Sequence, residues 1–387
     1  MDNPFSIEYA VAPHQLIDRE EEVRQVKQAL TQAGKLFMIG PRRFGKTSIL
    51  IAAEEALPKR RARVIHLNVQ SFTSIEQLVR GLIAATAKFA PNAQQAARMV
   101  KDIFTSLQPG VTYNPEKSTF QVTLGVKSRP EEQPAPLLVE ALNQIEEYAQ
   151  AAKYTIGVIL DEFQEILKLG GPEIENQLRS AVQLHRHVGY VFAGSETSLL
   201  QDMINNPARP FYRLGLPLFI KSIPRPDFAS AIVQGFAGLG CVVPDAALTT
   251  LFELTEDVPY YVQLLAKTAW DRAEQQSWRE LTPSLVAEVF QSLVQLFDPI
   301  YANQWVGQTT NQRKVLSAIA QGHTQKLTSQ QFLRAFDLSS GTIHKALQSL
   351  ESVHLLRREV AGTEIQYRLE DPLFKGWVLR FVQDQRD

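Results

Sequence analysis

Cysteine is almost absent from this chain: Cys241 stands alone among 387 residues, which excludes a disulfide within one chain and any cysteine-ligated metal cluster. Histidine is scarce as well, and the seven present show no ligand spacing. His185 and His187 lie two apart on an expected helix and so point to different faces, which suits solvated or packing roles better than metal binding. No apolar run approaches the roughly 18 residues needed to cross a bilayer. The opening Met-Asp-Asn-Pro-Phe lacks the basic and apolar regions of a signal peptide, so a cytoplasmic location with no membrane partner is expected. Net charge is only −1. The chain as a whole is not drawn to nucleic acid or anionic lipid, and any such binding rests on a local patch. Internal repeats and low-complexity tracts are missing too. What remains is a globular composition, 44% apolar and 21% charged, over a length that calls for two or three domains.

Against that background one stretch stands out, Lys35 to Ile51, KLFMIGPRRFGKTSILI. Leu36 to Ile39 is an apolar run of the kind that forms a buried strand, and Ser48 to Leu57 continues as a helix. Between them Gly40-Pro41-Arg42-Arg43-Phe44-Gly45-Lys46-Thr47 matches G-x-x-x-x-G-K-[ST] without a gap. Glycines let the backbone curl so that successive N–H groups face a phosphate, and the helix N-terminus behind them, at Ser48, adds partial positive charge. Lys46 would reach the β- and γ-phosphates of ATP, and the Thr47 hydroxyl would ligate Mg2+.

A second apolar strand, Ile156 to Leu160, delivers Asp161 and Glu162 at its carboxyl end. In a parallel α/β sheet, ligands sit beyond the strand C-termini. Asp161 would hold Mg2+ through water, and Glu162 would polarise the water that attacks the γ-phosphate. Taken alone, the pair could equally be the acidic start of a helix. Gly189 to Gly194 is another buried strand, and Ser195 after it is placed to sense the γ-phosphate or to cap the helix through Met203. Arg213, in Pro210-Phe-Tyr-Arg before a last strand from Leu214 to Ile220, reads as a charge-stabilising arginine or as a surface residue. Further elements are strand Arg63 to Val69, helices Ile75 to Phe89 and Ala93 to Leu107, a hairpin from Val111 to Lys127, and a loop from Pro130 to Pro136. From Pro226 to Trp278 the chain is helical, and a composition shift at Asp298-Pro299 suggests a linker. The tail from Gln312 reads helix, helix, turn, helix, hairpin.

With these residues in hand the chain resembles the archaeal ATPase family, in the STAND and origin-recognition-like branch of the AAA+ class. The resemblance rests on Gly40 to Ser48, Asp161-Glu-Phe-Gln164, Phe192-Ala-Gly-Ser195, Pro210 to Arg213, and Tyr367-Arg-Leu-Glu-Asp-Pro-Leu-Phe374. It implies an α/β P-loop fold with a five-stranded parallel sheet over residues 1–222, a helical lid over 223–298, and a winged helix over 299–387. It also implies that Asp18-Arg19-Glu20 lies near the adenine, and that ATP binding, often with subunit contact, changes domain arrangement until hydrolysis resets it. One departure stands out. Where the family has Gly-x-Pro at the lid helix, this chain has Asp257-Val258-Pro259, with no arginine before Arg272.

In the tail, Ser339 to Leu350 would be a recognition helix and Leu355 to Leu369 a wing. From Thr310 to Leu369 eight cations (Arg313, Lys314, Lys326, Arg334, Lys345, Arg357, Arg358, Arg368) face four carboxylates (Asp337, Glu351, Glu359, Glu364). That excess suits duplex DNA, with Arg357, Arg358 and Arg368 on phosphates and His344 and Lys345 at base edges. A protein-contact module is the other reading. Two functions follow: an ATP-hydrolysing switch, able to form a homo-oligomer, that couples nucleotide state to assembly or to a DNA-associated complex, or a DNA-binding or adaptor protein whose nucleotide is structural.

Overall fold

The computed structural model describes residues 2–7, 15–57, 62–105, 107, 109–114, 119–124, 134–195, 197–361 and 364–384. The chain divides into two compact units, one of Ala10–Pro41 with Gly45–Lys221, the other of Met1–Tyr9, Arg42–Phe44 and Ser222–Asp387.

The first unit is built on helix α1 (Glu20–Thr31), β1 (Lys35–Ile39), α2 (Lys46–Glu55), β2 (Ala62–Asn68), α3 (Ile75–Ala87), α4 (Ala93–Ile103), the pair β3 (Pro109–Asn114) and β4 (Thr119–Leu124), α5 (Pro134–Ala152), β5 (Thr155–Asp161), α6 (Ile166–Gly170), α7 (Glu173–Val182), β6 (Val188–Gly194), α8 (Thr197–Asn205) and β7 (Leu216–Phe219). The five-stranded sheet runs β2-β5-β6-β1-β7, and every neighbouring pair is parallel. All seven residues of β6 are buried, as expected of a strand covered on both faces. Phe37, Phe163, Phe192 and Phe211 form one aromatic cluster, with ring centroids 4.6 to 5.8 Å apart. Side chains cap α3 and α4: Ser74 accepts from Gln77 N and Asn92 from Gln95 N.

The expected loop through Pro136 is corrected in its last three residues, where α5 already begins at Pro134. Proline is tolerated in a first helical turn because the N–H it lacks would be unpaired there. Residues 130–133, the hairpin tip and residues 125–127 lie outside the described residues. The last strand is shorter than expected at both ends.

The second unit is helical through α9 (Arg225–Ala237), α10 (Asp245–Thr255), α11 (Pro259–Gln276), α12 (Pro283–Leu296) and α13 (Asp298–Val306). Then come α14 (Thr310–Ala320), α15 (Gln330–Ala335), α16 (Ser340–Ser352), the antiparallel pair β8 (Leu356–Ala361) and β9 (Glu364–Leu369), and α17 (Pro372–Asp384). The linker expected at Asp298-Pro299 is not one: α13 starts there, with Pro299 in its first turn. The Asp298 carboxylate accepts from Trp377 Nε1 at 2.7 Å and from Arg380 at 2.6 Å, which ties the junction to α17. The tail also carries this final helix beyond the hairpin. At Gly376 an added Cβ would lie 2.8 Å from the Phe290 ring, so glycine lets α17 approach α12.

The wing overturns part of the DNA expectation. Arg357 is 8% exposed, donates to Glu359 at 2.7 Å, and stands 3.5 Å from Glu256. Arg368 pairs with the same two carboxylates, and Lys375 donates to Glu256 at 2.6 Å. Arg357 is therefore buried against its carboxylates, and Arg368, 33% exposed, pairs with the same two, because a carboxylate screened from water requires cations of its own. Arg358, His344 and Lys345 remain exposed.

Two outcomes follow. Arg357→Ala leaves the buried Glu256 and the half-buried Glu359 short of a partner, and should lower unfolding free energy by about 3 kcal/mol in chemical denaturation. His185, in the first unit, is held between the Tyr190 hydroxyl (2.7 Å) and Asn143 Oδ1 (2.9 Å). Burial pushes its pKa down to about 4, with Glu146 opposing and Lys35 assisting. Between pH 6.5 and 4 the unfolded chain thus binds the extra proton, and stability falls with pH on the order of 1 kcal/mol per unit. His185→Gln should flatten that slope in thermal melts taken at pH 7 and pH 5.

Candidate functional site

The glycine loop leaves β1 at Gly40, where an added Cβ would lie 2.8 Å from Ile220 Cβ and 2.9 Å from its carbonyl oxygen. Only a glycine fits that approach. Gly45 closes the loop at φ 88° with open space around it, so its requirement is conformational rather than steric. It is the residue before α2, whose first turn carries Lys46, Thr47 and Ser48. Lys46 is buried, and its ammonium donates to Gly40 O at 2.8 Å and Pro41 O at 2.9 Å.

Strand register gathers the remaining polar groups at the same edge. Ile39 pairs with Gly194, and Leu160 with Phe192, so Gly40 and Ser195 follow, and Asp161 ends, three adjacent strands at one edge. Thr47 Oγ1 donates to Asp161 Oδ2 at 3.3 Å. Asp161 is 4% exposed, and burial, then the Glu162 charge, pushes its carboxyl above the usual range. Glu162 has left-handed backbone, φ 51°, uncommon for a residue with a Cβ and frequent at functional sites. Its Oε2 accepts from Ser195 Oγ at 2.8 Å and from Gln164 Nε2 at 2.5 Å. Gln164 was part of a motif but had no expected role. Its burial, which the sequence did not signal, makes it notable.

The chemistry of this donor set fits a hard divalent cation. Thr47 and Asp161 offer adjacent oxygens, and a buried carboxylate next to a second carboxylate favours a compensating positive charge. Among the described residues no cluster of three or more His, Cys, Asp or Glu forms. Further ligands would be phosphate and water, the habit of Mg2+.

The other candidates have partners of their own. Leu216 pairs with Leu36, so Arg213, three residues earlier, lies at the amino ends of the strands, opposite the edge that carries Gly40. Four residues of strand span about 13 Å, farther than an arginine reaches. Arg213 is exposed at φ 54° and stacks on Tyr212, 5.0 Å from its ring. Its segment is fixed from α7: Arg179 donates to the carbonyls of Pro210 and Tyr212, and Glu175 pairs with Arg209. Arg19 is buried and donates to Glu22 and to Lys221 O, while Glu20 is exposed. Arg42, Arg43 and Phe44 group with the second unit. There Arg43 stacks on Tyr260 and Tyr261 and stands 3.4 Å from Asp371, its carbonyl accepts from Tyr260 N, and Phe44 lies beneath Arg357. Nothing in the local sequence joins residue 43 to residue 371.

Residues 29–202 match a family model described as an AAA domain, and residues 299–380 one described as a probable winged helix domain. No curated protein matches. Among solved structures, the Walker-type ATPase PABY2304 of Pyrococcus abyssi is similar over 97% of this chain and 99% of its own, at 16% identity and a TM-score of 0.64. The ORC2 protein of Aeropyrum pernix, in ADPNP and ADP complexes, is similar over 99% and 98%, at 14% identity and a TM-score of 0.53. Residues 29–202 are thus similar to an AAA domain and residues 299–380 to a winged helix domain, and the chain shares its fold with these archaeal Walker-type ATPase and ORC2 structures.

Proposed function

We propose that this chain binds ATP with Mg2+ and hydrolyses it to ADP and phosphate, acting as a switch that couples nucleotide state to assembly or to a DNA-associated complex. The single observation that supports this is the convergence of Gly40, Lys46, Thr47, Asp161, Glu162 and Ser195 at the carboxyl edge of three adjacent parallel strands. Gly40 to Gly45 wrap the phosphates, with Ser48 behind them at the helix start, and Lys46 exchanges its two carbonyl partners for β- and γ-phosphate oxygens. Thr47 would ligate Mg2+ and Asp161 would hold it through water, and the ion would supply positive charge against the phosphates. Glu162 takes a proton from the attacking water. Arg19 and Glu20 border the adenine. Arg213, too far along the sheet to reach its own loop, stabilises the γ-phosphate of a neighbouring copy in a homo-oligomer. Domains run 1–222, 223–298 and 299–387.

A structural, slowly turned over nucleotide is the other reading, and Glu162 separates the two. Lys46→Ala should abolish or strongly weaken ATP binding in a fluorescent-nucleotide titration, and unchanged affinity would refute the loop's role. Glu162→Gln should keep ATP bound while turnover falls well beyond threefold, a barrier of about 0.7 kcal/mol. Arg213→Ala should lose hydrolysis yet regain it when mixed with Lys46→Ala subunits, which have the arginine but no working loop. Full activity of Arg213→Ala alone would remove it from the mechanism.

The winged helix is proposed to meet duplex DNA through His344 and Lys345 of α16, with Arg358 on a phosphate, or else a protein partner. In a salt titration of full-length protein with ATP, Arg358→Ala should flatten the slope of log affinity against log salt by about 0.9, whereas Arg357→Ala should leave it unchanged. Absence of binding at about 50 mM salt would favour the protein partner.

A further inference from the structure

We infer that Gln164 is a positioning residue for hydrolysis: it orients the Glu162 carboxylate by donating to Oε2, which leaves Oε1 to receive the proton from the attacking water. The inference rests on Glu162 being the base.

Three observations carry it. Gln164 Nε2 and Ser195 Oγ both donate to Oε2, at 2.5 and 2.8 Å, so the other carboxylate oxygen keeps its lone pairs. Gln164 is itself 3% exposed, and among the described residues its Oε1 finds no donor. A buried amide oxygen in that state carries an uncompensated desolvation cost, which an apolar side chain of the same length would avoid. What the amide supplies in return is one hydrogen bond to Glu162. Finally, Gln164 Oε1 would lie 2.1 Å from a Cβ at Gly194. The glycine before Ser195 thus makes room for the amide, and the reversed amide would set an oxygen against the carboxylate.

Ser195 has a single proton to give. If it turns that proton to a γ-phosphate oxygen, Glu162 loses one of its two donors at the moment when its orientation matters. Gln164 holds the carboxylate in place through that exchange. In the step itself the water oxygen bonds to the γ-phosphorus, and the bond from that phosphorus to the β-γ bridging oxygen breaks, its electron pair leaving with ADP. The water O–H pair stays on oxygen as the proton passes to Glu162 Oε1, which later releases it to solvent.

The test is Gln164→Met in the full-length protein, close in length and volume but without a donor. A base that has lost its orienting bond should turn over at least about tenfold more slowly, a fraction of the whole contribution of a general base. Affinity for ADP and for a non-hydrolysable ATP analogue should stay at the parent value, and the melting temperature should not fall. Because the residue acts through Glu162, Glu162→Gln/Gln164→Met should be no slower than Glu162→Gln alone. Parental turnover in Gln164→Met, faster turnover, or effects that multiply in the double variant would each overturn the inference while leaving Glu162 as base. Parental turnover in Glu162→Gln would overturn both. Gln164→Leu makes the same test if the Met variant does not fold.

Discussion

The parallel register of β5, β6 and β1 is the constraint on which the rest of the site depends. Three strands hydrogen-bonded side by side must end at one edge, and the residues that follow them must meet. Gly40 N donates to Gly194 O across that edge at 3.5 Å. Against this sheet α1 lies very close: at Gly189 a Cβ would be 2.2 Å from Ala29 O, and at Gly157 2.8 Å from Leu30. These two glycines, unremarkable in the sequence, make the sheet surface flat enough for the helix to seal it.

Burial at that edge gives the polar groups their character. Asp161 sits behind an apolar strand with Thr47 as its neighbour, and its carboxyl is destabilised as an anion until positive charge arrives. Glu162 departs from ordinary backbone conformation, and two donors hold one of its oxygens. Strain and shared donors of this kind persist only where surrounding packing over-determines them. Here the packing is the phenylalanine cluster under β5 and β6.

The second unit follows a different logic. Its centre of charge is Glu256, a carboxylate with left-handed backbone at the end of α10, faced by Arg357, Arg368 and Lys375. Breaking a buried pair costs more than the pair contributes, because the survivor is left desolvated. A basic wing was the natural reading of a local charge excess. The excess shrinks once two of the arginines are found to serve internal carboxylates.

The sequence by itself determined the glycine loop between β1 and α2, the carboxylate strand, the α/β class and the helix that follows Ser339. Each is a local pattern: glycine spacing, an apolar run of strand length, or a cap. Arg213 shows where local pattern ends. Its motif was legible, but the edge of the sheet on which it falls depends on the pairing of Leu36 with Leu216, residues 180 apart in number. The same holds for Gln164, whose burial comes from β6 packing over it, and for Arg43 and Asp371, which no periodicity connects. Only the tertiary structure decided these, because burial and partner choice are set by residues distant in the chain, and a charged side chain carries no mark of whether it will face solvent or a carboxylate.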